Sequence, residues 1–218
     1  SAEDYRMYRW YLSGILGLPP DDLDMSSIEA ARAKYHRKTS CNVATFVGHG
    51  PVRVSAVGMR DLPLRDHSLE EARRLVRESL EQGAVGLATG LSYYPHSYSD
   101  TDELVELCRV AAASDSVYVT HLRNHNTDRA FAGGGIDEAL EIGRRSGVKV
   151  HIEHYRTTPE QAGRVDELVA EVDLAKAQGV DVTLECYPYP VGSSFPMSFF
   201  PGPFHEGGPE AVMARLIE

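Results

Sequence analysis

Two histidines close two short apolar runs in this chain, and imidazoles so placed can bind a metal. The first run is Val117-Tyr118-Val119-Thr120-His121, followed by Leu122-Arg123-Asn124. The second is Val148-Lys149-Val150-His151-Ile152-Glu153-His154, followed by Tyr155-Arg156. Val117, Val119 and His121 share one side-chain parity, as do Val150, Ile152 and His154. If both runs are parallel strands of one barrel, their last side chains converge on its mouth. Two imidazoles arriving there from adjacent strands are half of a metal site. The alternative is a pair of histidines that line the mouth and only hydrogen-bond. Aromatic and polar residues follow two further apolar runs, in Gly90-Leu91-Ser92-Tyr93-Tyr94-Pro95 and in Tyr187-Pro188-Tyr189-Pro190-Val191-Gly192-Ser193. Arg123 and Arg156 each lie two residues past a candidate ligand. A guanidinium there can grip a substrate carboxylate through its fork, and its plainer role is a surface or interstrand ion pair.

The remaining histidines of the nine carry less. His36 and His67 sit on or beside polar helix ends and are expected in solvent. His205 falls in a late loop. His151 has the opposite parity to His154 and is expected to face a helix layer. His125 follows His121 at the fourth position, but the stretch around it reads as loop rather than helix, so a ligand role is not assigned. Cys41, Cys108 and Cys186 lack the spacing of a metal knuckle or a disulfide framework and read as small buried hydrophobes.

These side chains need a scaffold that brings strand ends together. Between Asn42 and Cys186 the sequence alternates β-rich runs with helical patterns. Strands are predicted at Asn42–Val47, Ala84–Thr89, up to His121, up to His154, and at Val180–Cys186. Helices are predicted at Ser68–Gln82, Asp100–Ala113, Ile136–Ser146, and from Pro159 through Gln178. Ser68 with Glu71, and Asp100 with Glu103, have the spacing of helix-start signals. Gly83, Gly147 and Gly179 follow helix ends. Alternation of this kind implies a parallel sheet with right-handed crossovers. The expected fold is α/β, a partial TIM-like (β/α) barrel, and a doubly wound sheet remains open. Gly133-Gly134-Gly135 follows a polar loop instead of a strand and reads as a flexible connection rather than a phosphate loop. Residues 1–38 read as a helical lead-in around Pro19-Pro20, residues 39–186 as the βα units of a single domain, and residues 187–218 as a lid-like loop with a terminal helix.

Composition limits the function. The chain has 218 residues, 42% of them hydrophobic, enough for a packed core. A net charge of −10 without a basic tract argues against nucleic-acid binding. No apolar run approaches a membrane span, and charges interrupt Ser1–Leu12 where a signal peptide would lie. The expected protein is cytoplasmic, with its thiols reduced.

Taken in order, NVATFVGHG (Asn42–Gly50), GLATGLSYYP (Gly86–Pro95), THLRN (Thr120–Asn124), HIEHYR (His151–Arg156) and YPYPVGSS (Tyr187–Ser194) resemble the N-acyl-D-amino-acid deacylases, the D-aminoacylase branch of the amidohydrolase superfamily. The resemblance runs over nearly the whole chain. It implies a metal-dependent TIM-like barrel with a small β-subdomain, zinc held by His121 and His154, and a small-molecule N-acyl-amino-acid substrate held by Tyr93, Arg156, Tyr187 and Ser193. At the position of Arg156 the family often has Lys, a change of reach and fork geometry. Three family features are missing from this sequence: an H-x-H pair on the first strand, a cysteine ligand, and an acid/base aspartate on the last strand. Cys41 opens a strand and is not assigned as that ligand. The first strands, the last strand and the β-subdomain are therefore expected outside these residues. The chain alone is expected to be inactive and to self-associate through open sheet edges. Two alternatives stay open: a cyclic-amide hydrolase of the hydantoinase or dihydropyrimidinase type, whose usual carboxylated lysine is not visible here, and a non-catalytic domain.

Overall fold

The computed structural model describes residues 2–18, 20, 23–123, 127–155, 161–189 and 191–217. Five strands form one parallel sheet: β1 (Val47–Gly48), β2 (Gly86–Gly90), β3 (Val117–His121), β4 (Lys149–Ile152) and β5 (Val182–Leu184). Their spatial order is their sequence order, β1-β2-β3-β4-β5. That order decides between the two open architectures. Right-handed crossovers between strands added always on one side put every helix on the same face, which is the arc of a barrel. A doubly wound sheet needs a reversal of strand order.

The covering helices are α4 (His49–Val57), α5 (Asp66–Glu81), α6 (Thr101–Ala113), α7 (Gly135–Ser146) and α8 (Val165–Ala177). Leu87, Tyr118, Val150 and Val182 lie side by side across the register. They share one buried cluster with Ala72 and Val76 of α5, Leu104 and Leu107 of α6, Leu140 and Ile142 of α7, and Val172 and Ala175 of α8. Helix α7 sits close on β4 because Gly143 carries no side chain. A Cβ there would lie 2.8 Å from Val150 Cγ2. The opposite row, Ala88, Val119, His151 and Thr183, points away from the helices.

Several boundaries move from their expected places. Only Val47 and Gly48 of the first apolar run join the sheet, although Thr45 O still accepts from Val85 N at 2.9 Å. Helix α4 then starts at His49, where no helix is expected from the sequence. Helix α5 begins at Asp66, so Ser68 is its third residue and bonds back to Arg65 N at 3.0 Å. Asp100 caps α6 as expected, accepting from Glu103 N at 2.9 Å. Helix α8 starts at Val165, and Pro159 lies outside the described residues. Cys41 and Cys186 are exposed, against expectation, and Cys108 is buried.

The lead-in forms α1 (Ala2–Tyr11), α2 (Ser13–Leu16) and α3 (Ile28–Tyr35), the last capped by Ser27. The late segment carries α9 (Gly202–His205) and α10 (Pro209–Ile217). Its Phe195 is buried against Tyr11 and Tyr93. His205 is buried as well, with Nδ1 2.8 Å from Tyr11 Oη and Nε2 donating to Phe200 O at 3.0 Å. Side chains thus hold the lid-like segment at Phe195 and His205. Among the described residues, no helix is long and apolar enough to cross a membrane.

Candidate metal centre

His121 is the last residue of β3 and stands on the face away from the helices, beside Gly90 of β2. Its carbonyl accepts from Leu91 N at 3.0 Å. His154 comes two residues after the end of β4 and has φ +38°. Its ring reaches His121: Nδ1 of His121 lies 2.9 Å from Nε2 of His154, with ring centroids 4.6 Å apart and planes at 77°. Two histidines 33 positions apart thus meet edge to face at adjacent strand ends.

His154 does not keep the side-chain parity of β4. Val150 and Ile152 belong to the helix-facing core, while His151 points the other way and bonds Thr183 Oγ1 at 2.8 Å. His151 is therefore not on the helix layer. Alternation holds only inside a strand, and β4 stops at Ile152. The left-handed backbone at His154 then swings its side chain back to the mouth.

The donor chemistry suits zinc, which takes imidazole nitrogens readily. Two nitrogens on a tetrahedral zinc at 2.0–2.1 Å lie about 3.3 Å apart. The observed 2.9 Å therefore needs an opening of only about 0.4 Å on that basis. The pair fits as half of a ligand set. Among the described residues, no group of three or more His, Cys, Asp or Glu side chains is placed to hold a metal.

Aromatic rings flank the pair on both sides. Tyr93 lies 4.9 Å from the His121 ring and Tyr187 lies 6.0 Å from the His154 ring, centroid to centroid. Tyr93 also stacks on Phe195 at 5.8 Å. Burial, and then the phenol of Tyr187, push the Tyr93 hydroxyl above its ordinary range, so it stays a proton donor at neutral pH. Ser193 is exposed in the loop beyond Tyr187. Arg156 and His125 lie outside the described residues. Arg123 does not face the mouth as a free fork. It is buried and grips Glu138 through Nε at 2.9 Å and Nη2 at 3.1 Å, and it donates to Ser97 O at 3.0 Å. It makes an ion pair, but one buried against helix α7 instead of on the surface or between strands.

The sequence also hides a buried polar cluster between α4 and α6. His49 Nε2 lies 2.8 Å from Glu103 Oε1, and Arg53 Nη1 donates to the same carboxylate at 2.5 Å and 2.7 Å. Leu64 N adds a further bond to Glu103 Oε2 at 2.7 Å. Desolvation raises the Glu103 pKa, but the His49 hydrogen bond and the Arg53 charge outweigh it and hold the group at about 2. The His96 ring packs 5.2 Å from the His49 ring. His49 and Arg53 at i and i+4, just after a strand, are the available sequence signal, but it is visible only once α4 is known to be a helix. Glu153 is half-buried near His154, and burial raises its carboxyl pKa.

No protein-family model matches the sequence. The curated N-acyl-D-glutamate deacylase of Alcaligenes xylosoxydans xylosoxydans is 42% identical over 157 residues, which is 70% of this chain and 31% of that protein. Over 70% of its length the chain is similar to an N-acyl-D-amino-acid deacylase. The D-aminoacylase of the same organism is 32% identical over 154 residues, again 70% of this chain and 31% of the relative. Among solved structures, the Bordetella bronchiseptica N-acyl-D-glutamate deacylase, complexed with zinc and a phosphonate mimic of the tetrahedral intermediate, superposes with a TM-score of 0.68 at 33% identity. That match covers 76% of this chain and 35% of the deacylase. The chain spans about a third of the length of the curated relatives it matches. Its five-stranded sheet is a partial TIM-like barrel of the amidohydrolase type.

Proposed function

We propose that this chain is the mid-barrel part of a zinc-dependent hydrolase that cleaves the amide of N-acyl-D-amino acids to a carboxylate and a free D-amino acid. The observation that carries the reading is the 2.9 Å approach of His121 Nδ1 and His154 Nε2 at adjacent strand ends. In this reading these two imidazoles hold the ion. Zinc bound there supplies Lewis-acid activation of water and polarisation of the acyl carbonyl. Tyr93, still protonated, offers an O–H donor beside the carbonyl, the position from which a developing negative charge is stabilised. Arg156, Tyr187 and Ser193 take the substrate carboxylate. The acid/base carboxylate and the remaining ligands come from sequence beyond this chain. The free thiols favour a cytoplasmic setting. The outer edges of β1 and β5 favour self-association when nothing covers them.

The deciding assay gives the protein, with any flanking sequence it carries, N-acyl-D-amino acids and hydantoins side by side. Release of free D-amino acid supports the reading, and turnover of hydantoins alone replaces it with cyclic-amide hydrolysis. A non-catalytic reading has one observation in its favour: 2.9 Å is also an ordinary hydrogen-bond distance. Absence of turnover on both substrates, together with no zinc retention, selects it.

A further inference from the structure

Three separate segments meet at one part-buried hydrogen bond close to the turn that carries Tyr93. Tyr8 Oη on α1 lies 3.0 Å from His96 Nε2. A Cβ at Gly50, the second residue of α4, would overlap both atoms. His96 is buried, and its other nitrogen, Nδ1, accepts from Gly90 N at 3.2 Å. That bond fixes the tautomer. With Nδ1 as acceptor, the neutral ring carries its proton on Nε2 and donates it to Tyr8 Oη.

The far end of the chain of contacts is the candidate metal centre. Gly90 is the register partner of His121. Its neighbour Leu91 donates to His121 O at 3.0 Å, and its own carbonyl accepts from Tyr93 N at 2.9 Å. The Tyr93 ring rests directly over Gly90, where a Cβ would lie 2.9 Å from Tyr93 Cδ2. The turn from Gly90 to His96 is thus closed by His96 at one end and presents Tyr93 against His121 at the other.

We propose that Tyr8, His96 and the Gly90 amide form a positioning device that sets the Tyr93 ring and the His121 imidazole. The lead-in helix is thereby part of the site's support, a role the sequence does not advertise. The inference rests on the reading of His121 and His154 as the functional pair. His96 acts through Gly90 and is a positioning residue. Its removal changes how the pair is held.

The test uses the imidazole 1H–15N correlations of His121 and His154, with thermal unfolding to show that each variant folds. His96→Asn keeps an acceptor where Nδ1 stood and loses Tyr8. His96→Ala loses both partners. His96→Ala should displace the His121 and His154 signals, and His96→Asn should return them most of the way to wild type. Zinc affinity, read by chelator competition, should fall about tenfold in His96→Ala and less in His96→Asn, the size seen when support behind a metal ligand is removed. Should His96→Ala not fold, Gly50→Ala takes its place. Its new methyl would overlap His96 Nε2 as well as Tyr8 Oη, so it pushes the imidazole off the Gly90 amide too, at a helical position that alanine otherwise favours. A folded His96→Ala or Gly50→Ala with unmoved signals overturns the proposal, and so does equal displacement in the Ala and Asn variants. If wild type, with any flanking sequence it carries, takes up no zinc and releases no D-amino acid while the signals still follow His96, the deacylase reading fails and the positioning device stands.

Discussion

Glu103 and His49, 54 positions apart, share a 2.8 Å hydrogen bond with neither side chain exposed. Arg53 closes the same carboxylate from one turn further along α4. This trio ties the helix that follows β1 to the helix that follows β2. A layer of charge in that position sets how the protein responds to acid.

Glu103 has a folded pKa of about 2 against an ordinary 4.5. On acidification the unfolded chain takes up that proton first, so the stabilisation present above pH 4.5 is lost as the pH falls towards 2. His49, His96 and His205 are lowered from 6.5, chiefly by burial. The unfolded state therefore binds their protons first as well, and stability already declines below about pH 6.5. Urea midpoints at successive pH values should fall in both windows. Glu103→Gln should cost about 3–5 kcal/mol at neutral pH by leaving Arg53 buried without its counter-charge. A flat pH profile, or a loss under about 1 kcal/mol, would contradict this account of the layer.

Arg123 is expected to matter for folding rather than for substrate. Its guanidinium is committed to Glu138 and to the carbonyls of Ser97 and Ser99. Arg123→Ala should destabilise by about 3–5 kcal/mol, and Glu138→Gln by a comparable amount. Denaturant unfolding of both single variants and the double variant measures the coupling. A stable Arg123→Ala protein that loses only substrate affinity would return this arginine to the binding site.

His154 occupies a left-handed backbone that glycine adopts freely and a β-branched residue resists. His154→Gly should keep the wild-type stability within about 1 kcal/mol, and His154→Val should lose about 1–2 kcal/mol more. Both should lose metal. The comparison separates the backbone's requirement from the imidazole's. Equal stability of the two variants would show that the turn after β4 does not need its present conformation.

The legible part of this protein was whatever depends on local pattern. Five strands alternating with helices follow from periodicity and from glycine stops, and parity gives the face of His121 because that residue lies inside its strand. His154 reached the site for a different reason from the one parity supplied, since the strand ends before it. His96 and Glu103 were hidden for a related reason. Glu103 looks like a helix-start residue, and its backbone does serve the Asp100 cap, while its carboxylate turns inward to partners about 50 residues away. Tyr8, 88 positions from His96, gives no local signal at all. Long-range polar pairing is set by how α4 and α1 pack, and no window of sequence contains it.

If His121 and His154 hold one ion between them, a zinc titration followed at their imidazole nitrogens should move both rings along a single curve, and His154→Gly should abolish the response at His121. Rings that saturate independently, or that stay unmoved while the chain remains folded, would rule out a shared ion.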